Sequence, residues 1–229
     1  MKAVLAILLA LVFAVELSAQ LTYDRIRQAV REPGSWLTYH GTYDAQRFSA
    51  LDEINSKNVQ QLRPVWMYQV QGRHHFESTP LVFDGVMYLT DPPSDVVALD
   101  VKTGRPLWTY RRSLPEDLRA CCGNVNRGVA AIGDQIFIAT IDAHLVALDM
   151  RTGRVRWDVE VADYQTGHSL TAAPLAVGHE GHFSWQTVEA SRRTNLGASA
   201  VFFAAIVIIS SRARSARVYL NADGLESGR

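Results

Sequence analysis

Cysteine is nearly absent from this chain: 229 residues hold two, and these are neighbours, Cys121 and Cys122. Adjacent thiols cannot staple distant parts of a fold together, so the disulfide framework of small secreted domains is excluded. An excess of one charge is missing as well, since 23 Lys and Arg balance 23 Asp and Glu. That gives no electrostatic reason to expect nucleic acid or an anionic membrane surface as partner. No apolar run is long enough for a comfortable membrane span: Ala3 to Val15 and Ala198 to Ile209 both fall short of the roughly 20 residues needed. His179, Glu180 and His182 have the wrong spacing for an H-E-x-x-H zinc pair, so no metal ligand is assigned.

Hydrophobic residues make up 48% of the chain, enough for a globular protein to bury a real core. Lys2, the apolar run to Val15 and the small residues Ser18 and Ala19 form the layout of a secretory signal peptide cleaved after Ala19. Export to an oxidising compartment follows, which in a bacterium is the periplasm, where the two cysteines can be oxidised and remain so.

The chain repeats itself. "ALDVKTGRPLW" (98–108) returns as "ALDMRTGRVRW" (147–157) with seven of eleven positions identical. Strand-like stretches precede each copy, "TPLVFDG" and "GVMYLT" in the first, "GVAAIGD" and "QIFIAT" in the second. "TAAPLAVG" (171–178) opens a third unit, and "LRPVWMYQV" (62–70) reads as the closing strand of a preceding one. Short apolar runs bounded by Asp-Gly, Gly-Asp and Thr-Gly turns favour four-stranded antiparallel units. Units of 40 to 50 residues with a fixed Gly and Trp are the mark of propeller blades. The expected fold is therefore all-β, a partial β-propeller of about three blades. Trp66, Trp108 and Trp157 are read as docking residues, each a flat ring between adjacent sheets with its indole N–H on a neighbouring carbonyl.

Residues 20–62 read as a helical and loop segment packed over the propeller's edge, with a short helix stopped at Pro33-Gly34 and Ser56 as a helix cap. The propeller occupies 63–178. Residues 179–229 lose the blade pattern and end in an Arg-, Ser- and Ala-rich stretch, as a frame-shifted or disordered end or a separate C-terminal domain would.

The export signal, the Trp-bearing repeats and "CCGNVNRG" (121–128) together resemble the periplasmic quinoprotein methanol and ethanol dehydrogenases, which use pyrroloquinoline quinone (PQQ). "WLTYHGTYDAQRFSALDEINSKNVQQLRPVW" (36–66) is similar to that family's N-terminal segment, and the likeness runs from about residue 22 to 178. It implies that Cys121 and Cys122 form a vicinal disulfide, a rigid flat wall against one face of the quinone; two free thiols in a buried loop are the competing reading. It implies further that Arg127 pairs with PQQ carboxylate or quinone oxygens, that Glu77 contacts the cofactor, and that Thr171 offers its hydroxyl to a PQQ carboxylate. Asn126 is left as a turn-forming or supporting residue.

The activity implied is oxidation of a small primary alcohol to an aldehyde, with Ca²⁺ or a lanthanide polarising the quinone and a cytochrome c taking the electrons. The family's metal carboxylate, metal-binding asparagine, catalytic aspartate and the tryptophan under the cofactor belong to later parts of an eight-bladed ring more than twice this length. "GHEGHFSWQ" (178–186) stands where the metal carboxylate is expected, so no catalytic residue is assigned and the chain is expected to be an inactive N-terminal fragment. The alternative is a non-catalytic propeller of the same repeat acting as a binding or assembly module. The disulfide is testable by mass: the exported protein should take up two alkyl groups only after reduction, and alkylation of both thiols without reductant would refute the oxidised pair.

Overall fold

The computed structural model describes residues 20–72, 75–120 and 123–178 in full and, as backbone alone, strands 182–192, 199–208 and 217–220. Two four-stranded antiparallel sheets follow one another with the same internal order. The first is built from β1 (Leu81–Phe83), β2 (Val86–Asp91), β3 (Asp95–Asp100) and β4 (Pro106–Tyr110). The second contains β5 (Ala130–Ile132), β6 (Gln135–Ala139), β7 (His144–Asp149) and β8 (Val155–Glu160). A third sheet of five strands joins β9 (His168–Ser169) and β10 (Leu175–Val177) to β11 (His182–Arg192), β12 (Ser199–Ile208) and β13 (Arg217–Leu220). The all-β, partial-propeller expectation holds, and the sequence beyond 178 continues in strands although it carries no blade motif.

Turn chemistry explains the hairpins. Asp84 and Gly85 both take positive φ, 51° and 76°, between the paired residues Phe83 and Val86. That is the two-residue turn whose twist matches a β-hairpin. At the β3–β4 turn Asp100 accepts hydrogen bonds from the Thr103 amide (2.8 Å) and hydroxyl (2.7 Å). Asp149 does the same for Thr152 in the second sheet, at 2.9 and 2.8 Å. The repeated Asp and Thr of "ALDxxTG" are thus two halves of one turn.

The glycine that ends this turn has two reasons to be glycine. Gly104 and Gly153 adopt φ of 68° and 69°, and a Cβ there would lie 2.5 Å from the Trp66 ring and 2.4 Å from the Trp108 ring. Each indole therefore lies on the glycine of the next sheet's turn. The Trp66 indole N–H donates to Val101 O (2.8 Å) and that of Trp108 to Met150 O (3.1 Å). The docking role expected of these two tryptophans is what the structure shows. Trp157 packs on Phe137 of its own sheet, ring centroids 5.7 Å apart, as Trp108 does on Tyr88 at 6.0 Å.

Sheets covered on both faces explain the nearly continuous apolar run of "DVVALD". In β3, Val96 and Ala98 enter the core shared with Ile136, Ile138 and Leu148 of the second sheet. Val97 and Leu99 face the other way, onto Trp66 and Tyr68. The N-terminal segment crosses all three units. Helix α1 (Tyr23–Arg27) buries Ile26, and Arg25 grips Glu32 (2.9 Å) and Asp84 (2.8 Å). Trp36 pairs with Val82, Leu21 with Gly133, and the Tyr43 hydroxyl donates to Ala176 O at 2.6 Å.

Two local expectations are corrected. Residues 62–70 join no ladder among the described residues: Trp66 and Tyr68 are half-buried on the first sheet while Val65 and Met67 are 86% and 89% exposed. The alternation is that of a strand, but a strand needs neighbours to supply its ladder. Ser56 caps no helix; the only helix there is a 3₁₀ turn, Val59–Gln61, preceded by Asn58. Leu51, Ile54, Val59 and Leu62 remain exposed rather than packing over an edge.

The ring-on-glycine contact predicts a graded effect. Gly153→Ala should cost roughly 2–4 kcal/mol in urea unfolding, since it adds both the strain of an L-residue at positive φ and a clash with Trp108. Gly85→Ala, at φ 76° but with open space around its Cβ, should cost only about 1–2 kcal/mol. Equal losses at the two positions would remove the docking explanation.

Candidate functional site

Glu77, Arg127 and Thr171 stand in the three lead-in segments that feed β1, β5 and β10. Their main chains are tied directly to one another. The Thr79 amide donates to Arg127 O (2.9 Å), and the Arg127 amide donates to Thr171 O (3.0 Å). Three sequence-distant segments are thereby held at hydrogen-bonding distance where they lead into consecutive units. Gly128 is required by this approach: its φ is 137° and a Cβ would lie 2.9 Å from Thr79 O.

The side chains converge as a result. The Arg127 guanidinium sits 3.0 Å from Glu77 Oε2 and donates to Thr171 Oγ1 at 2.8 Å. Arg127 and Glu77 side chains are 38% and 40% exposed, so the cluster is open to a ligand, whereas Thr171 is buried. Because the Thr171 hydroxyl accepts from Arg127, its own proton remains available to an acceptor elsewhere. A planar fork of N–H donors beside a hydroxyl donor suits a flat ligand that carries carboxylate or quinone oxygens. Glu77 tempers the positive charge and holds the guanidinium in plane.

Support comes from the opposite side of Arg127. Asn126 is fully buried; its Nδ2 donates to Ala139 O (2.7 Å) and its Oδ1 accepts from the Gly128 amide (3.1 Å). The sequence alone left this residue without a definite role. An asparagine two residues before a glycine of special φ is the signal that pointed to a turn bracket. Further out, at the same end of the sheets, Arg112 links the first two units. It contacts Asp142 at 2.6 Å, pairs with Asp158, and its amide donates to Asp95 at 2.9 Å. Burial works against the Arg112 charge, but hydrogen bonds to Asp142, Tyr110 and Asp158 outweigh it and raise the guanidinium's pKa above its ordinary value. Burial pushes the Asp95 carboxyl up.

Of the five site residues expected from the sequence, the structure brings Glu77, Arg127 and Thr171 together. Cys121 and Cys122 lie outside the described residues, as do His179 and Glu180. Among the described residues no group of three or more His, Cys, Asp or Glu side chains is placed to hold a metal ion. The Arg127 and Thr171 donors suit the oxygen-bearing edge of PQQ, the cofactor that the sequence resemblance implies.

Comparison with known proteins bears on the family and the fold. The PQQ family model for the glucose/ethanol/alcohol dehydrogenase β-propeller domain matches residues 36–171. The quinoprotein alcohol dehydrogenase PedH of Pseudomonas putida is 42% identical over 177 residues, which cover 76% of this chain and 30% of PedH. The quinoprotein ethanol dehydrogenase of Pseudomonas aeruginosa is 42% identical over 163 residues, 70% of this chain and 26% of that enzyme. A europium-containing methanol dehydrogenase of known structure is similar with a TM-score of 0.73 at 29% identity, covering 86% of this chain and 34% of its own. The chain thus spans only 26% to 30% of the length of these two curated relatives.

Exchange of the fork for a point charge should be felt at this cluster. Arg127→Lys keeps the charge but replaces the two separate nitrogens that meet Glu77 and Thr171 with one on a differently shaped chain, and it should lower the urea midpoint more than Arg111→Lys on the preceding strand's exit. Equal, negligible shifts would show that the Glu77–Arg127–Thr171 cluster contributes nothing to local order.

Proposed function

Because the chain belongs to the PQQ-dependent glucose, ethanol and alcohol dehydrogenase propeller family, we propose that it forms one wall of the cofactor site of an exported alcohol dehydrogenase. Arg127 and Thr171 hold oxygen atoms at the cofactor's edge, Glu77 keeps the guanidinium oriented, and the Cys121–Cys122 link lies against one face. PQQ bound there supplies two-electron oxidation of a primary alcohol to an aldehyde. Ca²⁺ or a lanthanide and a cytochrome c acceptor belong to the whole enzyme, as does the periplasmic location implied by residues 1–19. The single observation that carries this reading is the convergence of three lead-in segments on Arg127, with its contacts of 3.0 and 2.8 Å to Glu77 and Thr171.

Within this reading the chain binds and orients without turning over. General-base catalysis needs a carboxylate or imidazole poised on the alcohol proton, and the Glu77 carboxylate is engaged by the Arg127 guanidinium at 3.0 Å. Titration of the 229-residue chain with PQQ, followed by tryptophan fluorescence, should show saturable binding. Arg127→Ala should weaken that binding about ten- to a hundredfold, the worth of a charge-assisted contact. With Ca²⁺, PQQ and a dye acceptor present, ethanol should not be oxidised. Absence of PQQ binding would favour a non-catalytic binding or assembly module, and measurable turnover would overturn the claim of inactivity.

A further inference from the structure

We propose that Thr90 is a positioning residue that sets the separation of Glu77 from Arg127, an inference that rests on these two residues forming part of a PQQ site. Thr90 is the penultimate residue of β2, at the site's side of the first sheet, and is fully buried. It holds both partners' neighbours at once. Its amide donates to Ser78 Oγ (2.9 Å), next to Glu77, and its hydroxyl donates to Asn126 O (3.2 Å), next to Arg127. One residue thereby measures the distance between two segments 50 positions apart.

The next residue completes the grip. Asp91, also buried, accepts the Gln71 amide at 2.6 Å and the Gly72 amide at 2.9 Å. Gly72 is pressed so close that a Cβ would lie 2.1 Å from Pro92 O. The chain that carries Glu77 is therefore clamped before it, at 71–72, and after it, at 78, by adjacent residues of one strand. The second sheet has a related tie, made by main chain rather than by a hydroxyl. Thr140, buried just past β6, accepts the Leu170 amide on its carbonyl at 3.3 Å, and Leu170 immediately precedes Thr171. In both units a buried threonine where the second strand ends thus holds the residue before a cluster side chain of the next unit.

Thr90→Val removes the hydroxyl at nearly constant volume and keeps the amide bond to Ser78; Thr90→Ser keeps the hydroxyl. PQQ titration of the full chain, well below both variants' melting midpoints, should show Thr90→Val weakened about tenfold and Thr90→Ser restored to within about threefold of the parent. Unchanged affinity in Thr90→Val, or equal loss in both variants, would overturn the proposal. A second measurement needs no cofactor and separates this inference from the assignment of PQQ. In a double-mutant cycle of Thr90→Val with Glu77→Gln, read as urea midpoints, the two shifts should be non-additive. Additive shifts would overturn the positioning role even if PQQ binds, whereas coupling without PQQ binding would keep the geometry and reject the cofactor.

Discussion

An aromatic ring laid on a glycine is the contact on which the rest of the structure depends. A four-stranded sheet of three- to six-residue strands has little to bury by itself and needs neighbours on its faces. Trp66 on Gly104 and Trp108 on Gly153 supply the register between neighbours. A rigid plane against bare backbone leaves no slack in distance, and the indole N–H bonds to Val101 and Met150 leave none in rotation. The small residue opposite Trp108 in the ladder, Ala98, and its counterpart Ala147 opposite Trp157, leave room for the ring on the sheet itself. Both pairs sit beside a register shift in the same place, an extra residue that twists the outer strand.

The ring contacts lie near the β3–β4 and β7–β8 turns, whereas the cluster of Arg127 lies at the other end of the sheets. What couples the two ends is a second set of ties. Arg112, its side chain 9% exposed, reaches from the first unit to Asp142 and Asp158 in the second. A buried ion pair adds little net stability once desolvation is counted, but it punishes misalignment severely, because a slip leaves a charge without its partner. With the first two units tied at both ends, the lead-in segments meet at Thr79, Arg127 and Thr171, and buried groups such as Thr90 set the remaining spacing. The site is thus a consequence of spacing between sheets.

What could be read beforehand follows from how local each signal is. The two strand quartets, the Asp-Gly hairpin and the Thr-Gly turn are written in periodicity and turn residues, and those survive in a single sequence. Trp108 and Trp157 were legible because they recur 49 positions apart, each four residues after a turn glycine, Gly104 or Gly153. Glu77, Arg127 and Thr171 were not legible in that sense; only likeness to a family singled them out, and the structure then brought them together. Thr90 left no trace, since its hydroxyl and the Asn126 carbonyl, 36 residues apart, share no pattern before the chain folds. The segment 62–70 misled for the converse reason. Its alternation is that of a strand, but a ladder is a property of two chains, and one alone cannot declare it.

Exposure decides what this cluster would contribute to the binding proposed for it. Arg127, 38% exposed, remains hydrated, and its attraction for an anion is screened by water and salt far more than that of a buried charge. Its directional hydrogen bonds are another matter, since Thr171 and Glu77 hold the fork in one plane whatever the dielectric. The cluster therefore supplies orientation before it supplies affinity. A planar ligand bound here is located by its edge, and tight binding requires walls above and below that raise the worth of each edge contact by excluding water. The same exclusion strengthens every hydrogen bond that Arg127 makes. In a site built this way, selectivity resides in the inner edges of the first units and binding strength in whatever closes over them.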